Sequence, residues 1–349
     1  MENNKAAYMT GINKLEVRDN VPIPEIGSGE VLVKVEYVGI CGSDIHYLVD
    51  GRIADFIVEG DFILGHEAGG TIVKVADDVV THKAGDRVAI EPGLPCGKCE
   101  FCRTGRYNLC PKVAPDFMGT PPTHGAFTTY VAWPAEWCFI LPDNMSTLEG
   151  ALVEPLSVGL EATHVAGVKL GSSVTILGSG CIGLCTLLAA KAKGATEIIV
   201  VDVIEKRLEK ARELGATKII NAKEVDAIEE ISKYTDGKGT DFVIETAGNK
   251  VTLRQTVDIA KRGGRIVIVG MGADAVIPFN FEKLMWKVLS IGTVFRYQNQ
   301  YAIAIDAISN GKIDVKQIVT AEYDIDDIQE AFETNIKNKD EVVKLVIKL

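Results

Sequence analysis

The chain has 349 residues, 47% hydrophobic and 24% charged, a composition that fits an ordinary globular protein and a length that favours two domains over one. Its formal net charge of −11, with no run of Lys or Arg, repels phosphate backbones, so nucleic acid is not an expected partner. Met1–Lys5 lacks the charged-then-apolar order of a signal peptide, and the apolar stretch Val174–Ala190 is too broken by Gly178, Gly180 and Gly183 to span a membrane. A cytoplasmic protein with no membrane partner is expected, its eight cysteines serving as thiolate ligands and core residues.

Residues 1–155 are rich in short alternating strands and turn signals, with no long helical period before Leu148. Val31–Val38 alternates as a strand and then turns sharply at Gly39-Ile40-Cys41-Gly42-Ser43-Asp44-Ile45-His46-Tyr47. Gly69–Val75 and Gly85–Ile90 read as barrel-type strands. From Ser173 the rhythm changes: strands are expected at 173–177, 197–202, 217–221, 240–245, 265–270 and 288–294, with helices at 183–193, 205–214 and 251–262 among their connections. Six strands with helical crossovers predict a doubly wound parallel sheet. After about residue 295 the pattern is mixed again and ends in the strand Val342–Ile347, which is expected to rejoin the first domain. The expected fold is thus α/β: a β-rich catalytic domain of residues 1–155 completed by 295–349, and a nucleotide-binding domain of 156–294 inserted between them.

Two sets of metal-ligand types stand out. Cys41, His66 and Glu67 supply the thiolate, imidazole and carboxylate that zinc accepts, and three protein ligands leave a fourth position open for chemistry. Taken singly, Cys41 reads as a core thiol and His66-Glu67 as a pair satisfied in a turn. Zinc there lowers the pKa of a bound alcohol, and the alkoxide can then pass hydride to a nicotinamide. Ser43 and His46 are placed for a proton relay out of a dry pocket, or else cap a turn and pack. Glu154, flanked by apolar residues in Ala151–Leu156, is expected beside this metal as a base on its water or as an alternate ligand. The second set, Cys96, Cys99, Cys102 and Cys110, has the spacing of a closed tetrahedral zinc site with a structural role. An iron–sulfur cluster or incidental thiols are the rival readings.

Gly178-Ser-Gly180-Cys-Ile-Gly183 follows a strand and opens a helix, the arrangement that cradles a pyrophosphate. The next strand ends in Asp202, whose carboxylate suits the adenosine ribose hydroxyls and repels a 2′-phosphate, so NAD is expected over NADP. Arg207 is the counter-argument, since a guanidinium welcomes that phosphate.

These motifs, with Arg87–Pro92, Gly105–Cys110, Phe117-Met-Gly-Thr-Pro-Pro122, Glu154–Gly159 and Val294-Phe-Arg-Tyr297, resemble the zinc-containing medium-chain alcohol dehydrogenases over essentially the whole chain, and most the sorbitol (L-iditol) and xylitol dehydrogenases. The resemblance implies a GroES-like catalytic domain beside a Rossmann domain, with one catalytic and one structural zinc. It also implies NAD-dependent oxidation of a polyol to the ketose, by a cytoplasmic homotetramer. It implies a substrate pocket of Ser43, Tyr47, Phe117, Thr120, Glu154, Arg296 and Tyr297. NAD contacts are implied at Ile182, Asp202, Arg207, Val269, Met271, Val294 and Arg296. Animal members generally lack the full cysteine lobe, which places this chain nearer the bacterial or fungal branch. L-Threonine or 2,3-butanediol is the rival substrate for the same chemistry. A non-catalytic NAD-binding protein on this fold would have lost a zinc ligand or Ser43, and neither loss is seen.

Overall fold

The computed structural model describes residues 4–272 and 276–349; Met1–Asn3, part of the stretch read above for a leader, lie outside them. The chain forms two compact units, Met1–Glu154 with Tyr301–Leu349, and Pro155–Gln300.

The first unit is built on β1 (Glu30–Gly39), a ten-residue strand that is paired along both edges. Val31, Leu32, Val33 and Val35 are all buried, and register shifts between Leu32 and Val33 and between Val35 and Tyr37 break the alternation, so that Val38 is buried after the second. Helix α1 (Gly42–Asp50) follows, where the sequence suggested only a turn. Strand β2 (Glu67–Val75) runs antiparallel to β1, and β3 (Arg87–Ile90) lies antiparallel to β2. Strand β4 (Tyr130–Pro134) pairs with the first half of β1, and β5 (Cys138–Ile140) closes the far side on β3. The C-terminal strand Lys344–Lys348 is antiparallel to the end of β1, at Val346↔Gly39, and carries Val319–Asp324 alongside it in parallel. Gly69 is dictated by packing: a Cβ there would lie 2.1 Å from the Thr147 carbonyl oxygen, where helix α2 (Thr147–Ala166) begins.

The second unit is a six-stranded parallel sheet. Its strands are β6 (Ser173–Leu177), β7 (Glu197–Asp202), β8 (Lys218–Asn221), β9 (Thr240–Glu245), β10 (Ala260–Ile268) and β11 (Ser290–Thr293). They lie in the order β8-β7-β6-β9-β10-β11, with the switch of direction between β6 and β9. Both faces are covered, so strands such as Glu197-Ile-Ile-Val-Val-Asp202 carry continuous apolar runs rather than alternation. Helices α3 (Cys181–Ala192), α4 (Glu205–Leu214), α5 (Ala227–Tyr234) and α6 (Lys250–Ile259) make the crossovers. The helix expected to 262 stops at Ile259, because Ala260 is already extended and paired with Thr240, and Gly263 takes a positive φ. No helix among the described residues is long and apolar enough to cross a membrane.

Candidate functional site

Asp44 organises the metal-ligand cluster of the first unit, a residue the sequence reading passed over. It sits in the first turn of α1 and is fully buried. Its Oδ2 accepts from the backbone N–H of Cys41 at 2.9 Å and its Oδ1 from that of Gly65 at 3.0 Å. One carboxylate therefore fastens the loop carrying Cys41 to the loop carrying His66. The signal was present in Cys-Gly-Ser-Asp, an acid three residues after the residue that caps a helix.

The ligand atoms of Cys41, His66 and Glu67 all lie within 4.8 Å of one another. His66 is buried, its Nδ1 3.8 Å from Asp44 Oδ1 and its ring 5.3 Å from that of Phe117. Burial pushes the imidazole pKa down, but the negative charges of Cys41, Asp44 and Glu154 outweigh it and lift His66 to about 10. The converging S, N and O donors, with His66 and Glu67 buried, fit zinc. Glu67 is equally buried, and a Cβ on Gly39 would fall 1.9 Å from its Oε2, so only glycine leaves room for it. Lys344 Nζ donates to both Glu67 oxygens at 2.7 Å and to the Ile40 carbonyl at 2.9 Å. Nothing local in the sequence announces Lys344, which stands 277 residues from its partner.

Glu154 is buried on α2, and its charge reaches both His66 and Glu91. Ser43 and His46 lie on α1; Ser43 is half-buried, and His46 is exposed with Nδ1 3.3 Å from Asp50 Oδ2. Tyr47 is buried in the main apolar core of the unit, and Phe117 and Thr120 are buried in the loop after the cysteine lobe. His124 stacks on Phe62 and accepts from the Ile63 N–H.

The four lobe cysteines also place their sulfurs within 4.8 Å of one another. Cys99 and Cys102 are 3.4 Å apart, and the Cys96 N–H donates to Cys110 Sγ at 3.3 Å. Backbone N–H groups of Lys98 and Cys99 lower the Cys96 thiol to about 6, whereas burial and the neighbouring sulfurs push Cys102 up to about 12. Four converging thiols in a short loop fit a closed structural zinc. Tyr107, within the lobe, donates to Glu91 Oε1 at 2.7 Å and packs on Trp137, which moors the lobe to the sheet.

In the second unit, Gly178 (φ 101°) follows β6 and Gly180 caps α3. A Cβ on Gly183 would lie 2.0 Å from the Gly178 carbonyl oxygen, the close helix–strand approach that a dinucleotide turn demands. Ile182 is half-buried in the first turn of α3. Asp202 ends β7 and accepts from Ser179 N and Oγ at 2.5 and 2.7 Å, and from Val203 N and Ile204 N at 2.7 and 3.1 Å. Arg207 reaches over the turn, its Nη1 3.7 Å from where a Gly180 Cβ would stand. Glu245, unsuspected from the sequence, ends β9 fully buried and accepts from Ala247 N, Gly248 N and Thr252 Oγ1. Val269 and Met271 follow β10, and Val294 follows β11, its N–H donating to Ile268 O. Arg296 takes a positive φ of 58° with its guanidinium over the Phe295 ring, and Tyr297 beside it is buried. All these positions gather at the carboxyl ends of the parallel strands, where open α/β sheets bind nucleotides.

The chain matches the family model "Alcohol dehydrogenase GroES-like domain" over residues 27–143 and "Zinc-binding dehydrogenase" over residues 181–310. It is 49% identical over 355 residues to an uncharacterized zinc-type alcohol dehydrogenase-like protein of Escherichia coli, covering 100% of this chain and 99% of that one. It is 43% identical over 346 residues to a sorbitol dehydrogenase of Bacillus subtilis, with 99% and 97% covered. Among solved structures, 2R,3R-butanediol dehydrogenase from Bacillus subtilis superposes with a TM-score of 0.90 at 31% identity, over 99% of each chain. A buried thiolate–imidazole–carboxylate centre, a four-thiol lobe and a dinucleotide turn, matched along the whole chain, place this protein in the zinc-containing medium-chain alcohol dehydrogenases, in the sorbitol dehydrogenase family.

Proposed function

We propose that the protein oxidises a secondary alcohol of a polyol, such as sorbitol, xylitol or L-iditol, to the ketose with NAD as acceptor. The observation that carries this reading is the meeting of Cys41, His66 and Glu67 in one buried centre of a chain 43% identical to a sorbitol dehydrogenase. Those three residues would hold the catalytic zinc, and Cys96, Cys99, Cys102 and Cys110 the structural one. Bound zinc would supply Lewis acidity that lowers the pKa of an alcohol, and bound NAD the hydride acceptor.

The chain's own residues do the rest. Asp44 and Lys344 fix the donors, and Lys344 offsets part of the charge on Glu67, which keeps the centre electron-poor. Phe117 shields the His66 face from water. Ser43 and His46, three residues apart on one face of α1, carry the substrate proton outward: Ser43 takes it and His46 delivers it to solvent. Asp50 Oδ2, 3.3 Å from Nδ1, would favour the tautomer in which Nε2 of His46 accepts the proton. Glu154, buried and with its charge felt at His66, would serve as a second carboxylate that accepts a proton or hydrogen bond beside the centre. Tyr47, Thr120, Arg296 and Tyr297 supply donors and acceptors for the remaining polyol hydroxyls. The carboxyl-end positions of the second unit, from Gly178, Gly180, Ile182 and Gly183 to Asp202, Arg207, Val269, Met271, Val294 and Arg296, bind the cofactor.

The protein acts as a homotetramer. Supporting this, β11 is the outer strand of its sheet, and Phe281, Met285, Trp286, Val288 and Ile291 stand exposed around it. A light-scattering mass of one or two chains rather than four would overturn this assignment.

NADH formation with sorbitol, xylitol, L-iditol, 2,3-butanediol and L-threonine, with NADP in parallel, tests the activity. The highest kcat/KM on a polyol with NAD supports the proposal. A preference for butanediol, which the 31%-identical structure makes the second reading, or for threonine would overturn the substrate assignment.

A further inference from the structure

The Asp202 carboxylate at the end of β7 is already full. Its two oxygens accept from Ser179 N, Ser179 Oγ, Val203 N and Ile204 N, all at 3.1 Å or less. A carboxylate offers about four lone-pair positions, so no acceptor capacity is left for a ribose diol. Three of the four donors are backbone N–H groups, fixed by the glycine turn and by the entry to α4. The fourth, the Ser179 hydroxyl, moves by rotation about one bond. Ser179 is itself fully buried, so the hydroxyl has no bulk water to turn to when it lets go.

We propose that Ser179 competes with the adenosine ribose for Asp202, so that the affinity of this chain for NAD is set by how readily one serine hydroxyl gives way. The inference rests on the reading of Asp202 as the ribose anchor. It assigns a role to the residue between the first two glycines, a position that the dinucleotide motif leaves unspecified. The competition is selective: it concerns the hydroxyl-bearing ribose of NAD, whereas the 2′-phosphate of NADP is repelled by Asp202 whether or not Ser179 is bonded to it.

Calorimetric titration of the purified full-length protein with NAD, and separately with NADP, tests this without turnover. Ser179→Ala is expected to bind NAD about three- to tenfold more tightly, the worth of one released hydrogen bond, and NADP no more tightly than before. Unchanged or weakened NAD binding would overturn the competition, and equal tightening toward NADP would mean that the turn as a whole had loosened, which also overturns it. The melting temperature of the NAD-free variant checks folding, and Ser179→Gly, which removes the same hydroxyl, is titrated beside it. Asp202→Ala separates the two ideas. Undiminished NAD binding there sinks the ribose anchor itself, whereas loss of binding there with no gain in Ser179→Ala sinks only the competition.

Discussion

Asp44 and Lys344 each hold part of the donor cluster in place while buried. Asp44 accepts two backbone N–H groups from two different loops, so Asp44→Asn turns an NH2 toward one of them and leaves a buried donor unpaired. The expected cost is about 1–3 kcal/mol in urea unfolding, with the catalytic metal bound less tightly in metal analysis. Lys344→Met is more severe in the metal-free protein, because it leaves the Glu67 carboxylate buried without its ammonium; a loss of about 3–5 kcal/mol is expected from the same measurement made after chelation. Glu91 gives a pH signature. Burial, reinforced by the Glu154 charge and only partly offset by Tyr107, raises its carboxyl from 4.5 to about 7. The folded protein therefore keeps a proton that the unfolded chain releases above 4.5, so this contribution to stability is full below that pH and is lost as the pH rises through about 7. Glu91→Gln keeps an acceptor for Tyr107 and should flatten that part of the stability–pH curve; an unchanged slope would count against the assignment.

At the scale of elements, the glycine turn and the cysteine lobe each make a sharp demand. Gly183→Ala drives a methyl into the Gly178 carbonyl, and should cost about 1–3 kcal/mol by overpacking while weakening NAD binding in a fluorescence titration. Cys110→Ser should lower the zinc content from about two to about one per chain and reduce the melting temperature, with the remaining metal at the Cys41 centre. The parallel strands were legible because a strand buried on both faces writes an unbroken apolar run, as in Glu197–Asp202. Helix α1 was not, since Gly42 and nine residues of length give periodicity too little to work with. The helix thought to reach 262 was overrun for a related reason: Arg262-Gly263-Gly264 stops nothing in a hydrophobic count, whereas the pairing of Ala260 with Thr240 does. Cys41, His66, Glu67 and the four lobe cysteines announced themselves by residue type and spacing. Asp44 and Lys344 did not, because an acid in a turn and a lysine in a strand ordinarily face water, and only tertiary contact turns them inward.

At the scale of the molecule, chemistry-bearing groups fall into two units whose sequences are nested: the first unit opens at the amino end and is resumed at Tyr301. The resumption is not ornamental. Lys344–Lys348 supplies the neighbour of β1 along Gly39–Tyr37 as well as the ammonium on Glu67. Removing residues 344–349 should therefore abolish metal retention at the Cys41 centre while leaving the lobe metal in place, which elemental analysis of the soluble fraction reads directly.

That strand also imposes an order in time. During synthesis, Cys41, His66 and Glu67 leave the ribosome early, and Glu67 must wait for 277 further residues before its counter-charge exists. Until then Glu67 lacks the ammonium that pairs with it, and the whole nucleotide-binding unit is made in the interval. The pairing of the Glu67 acid therefore depends on a strand made 277 residues after it, once the other unit has been strung between the two.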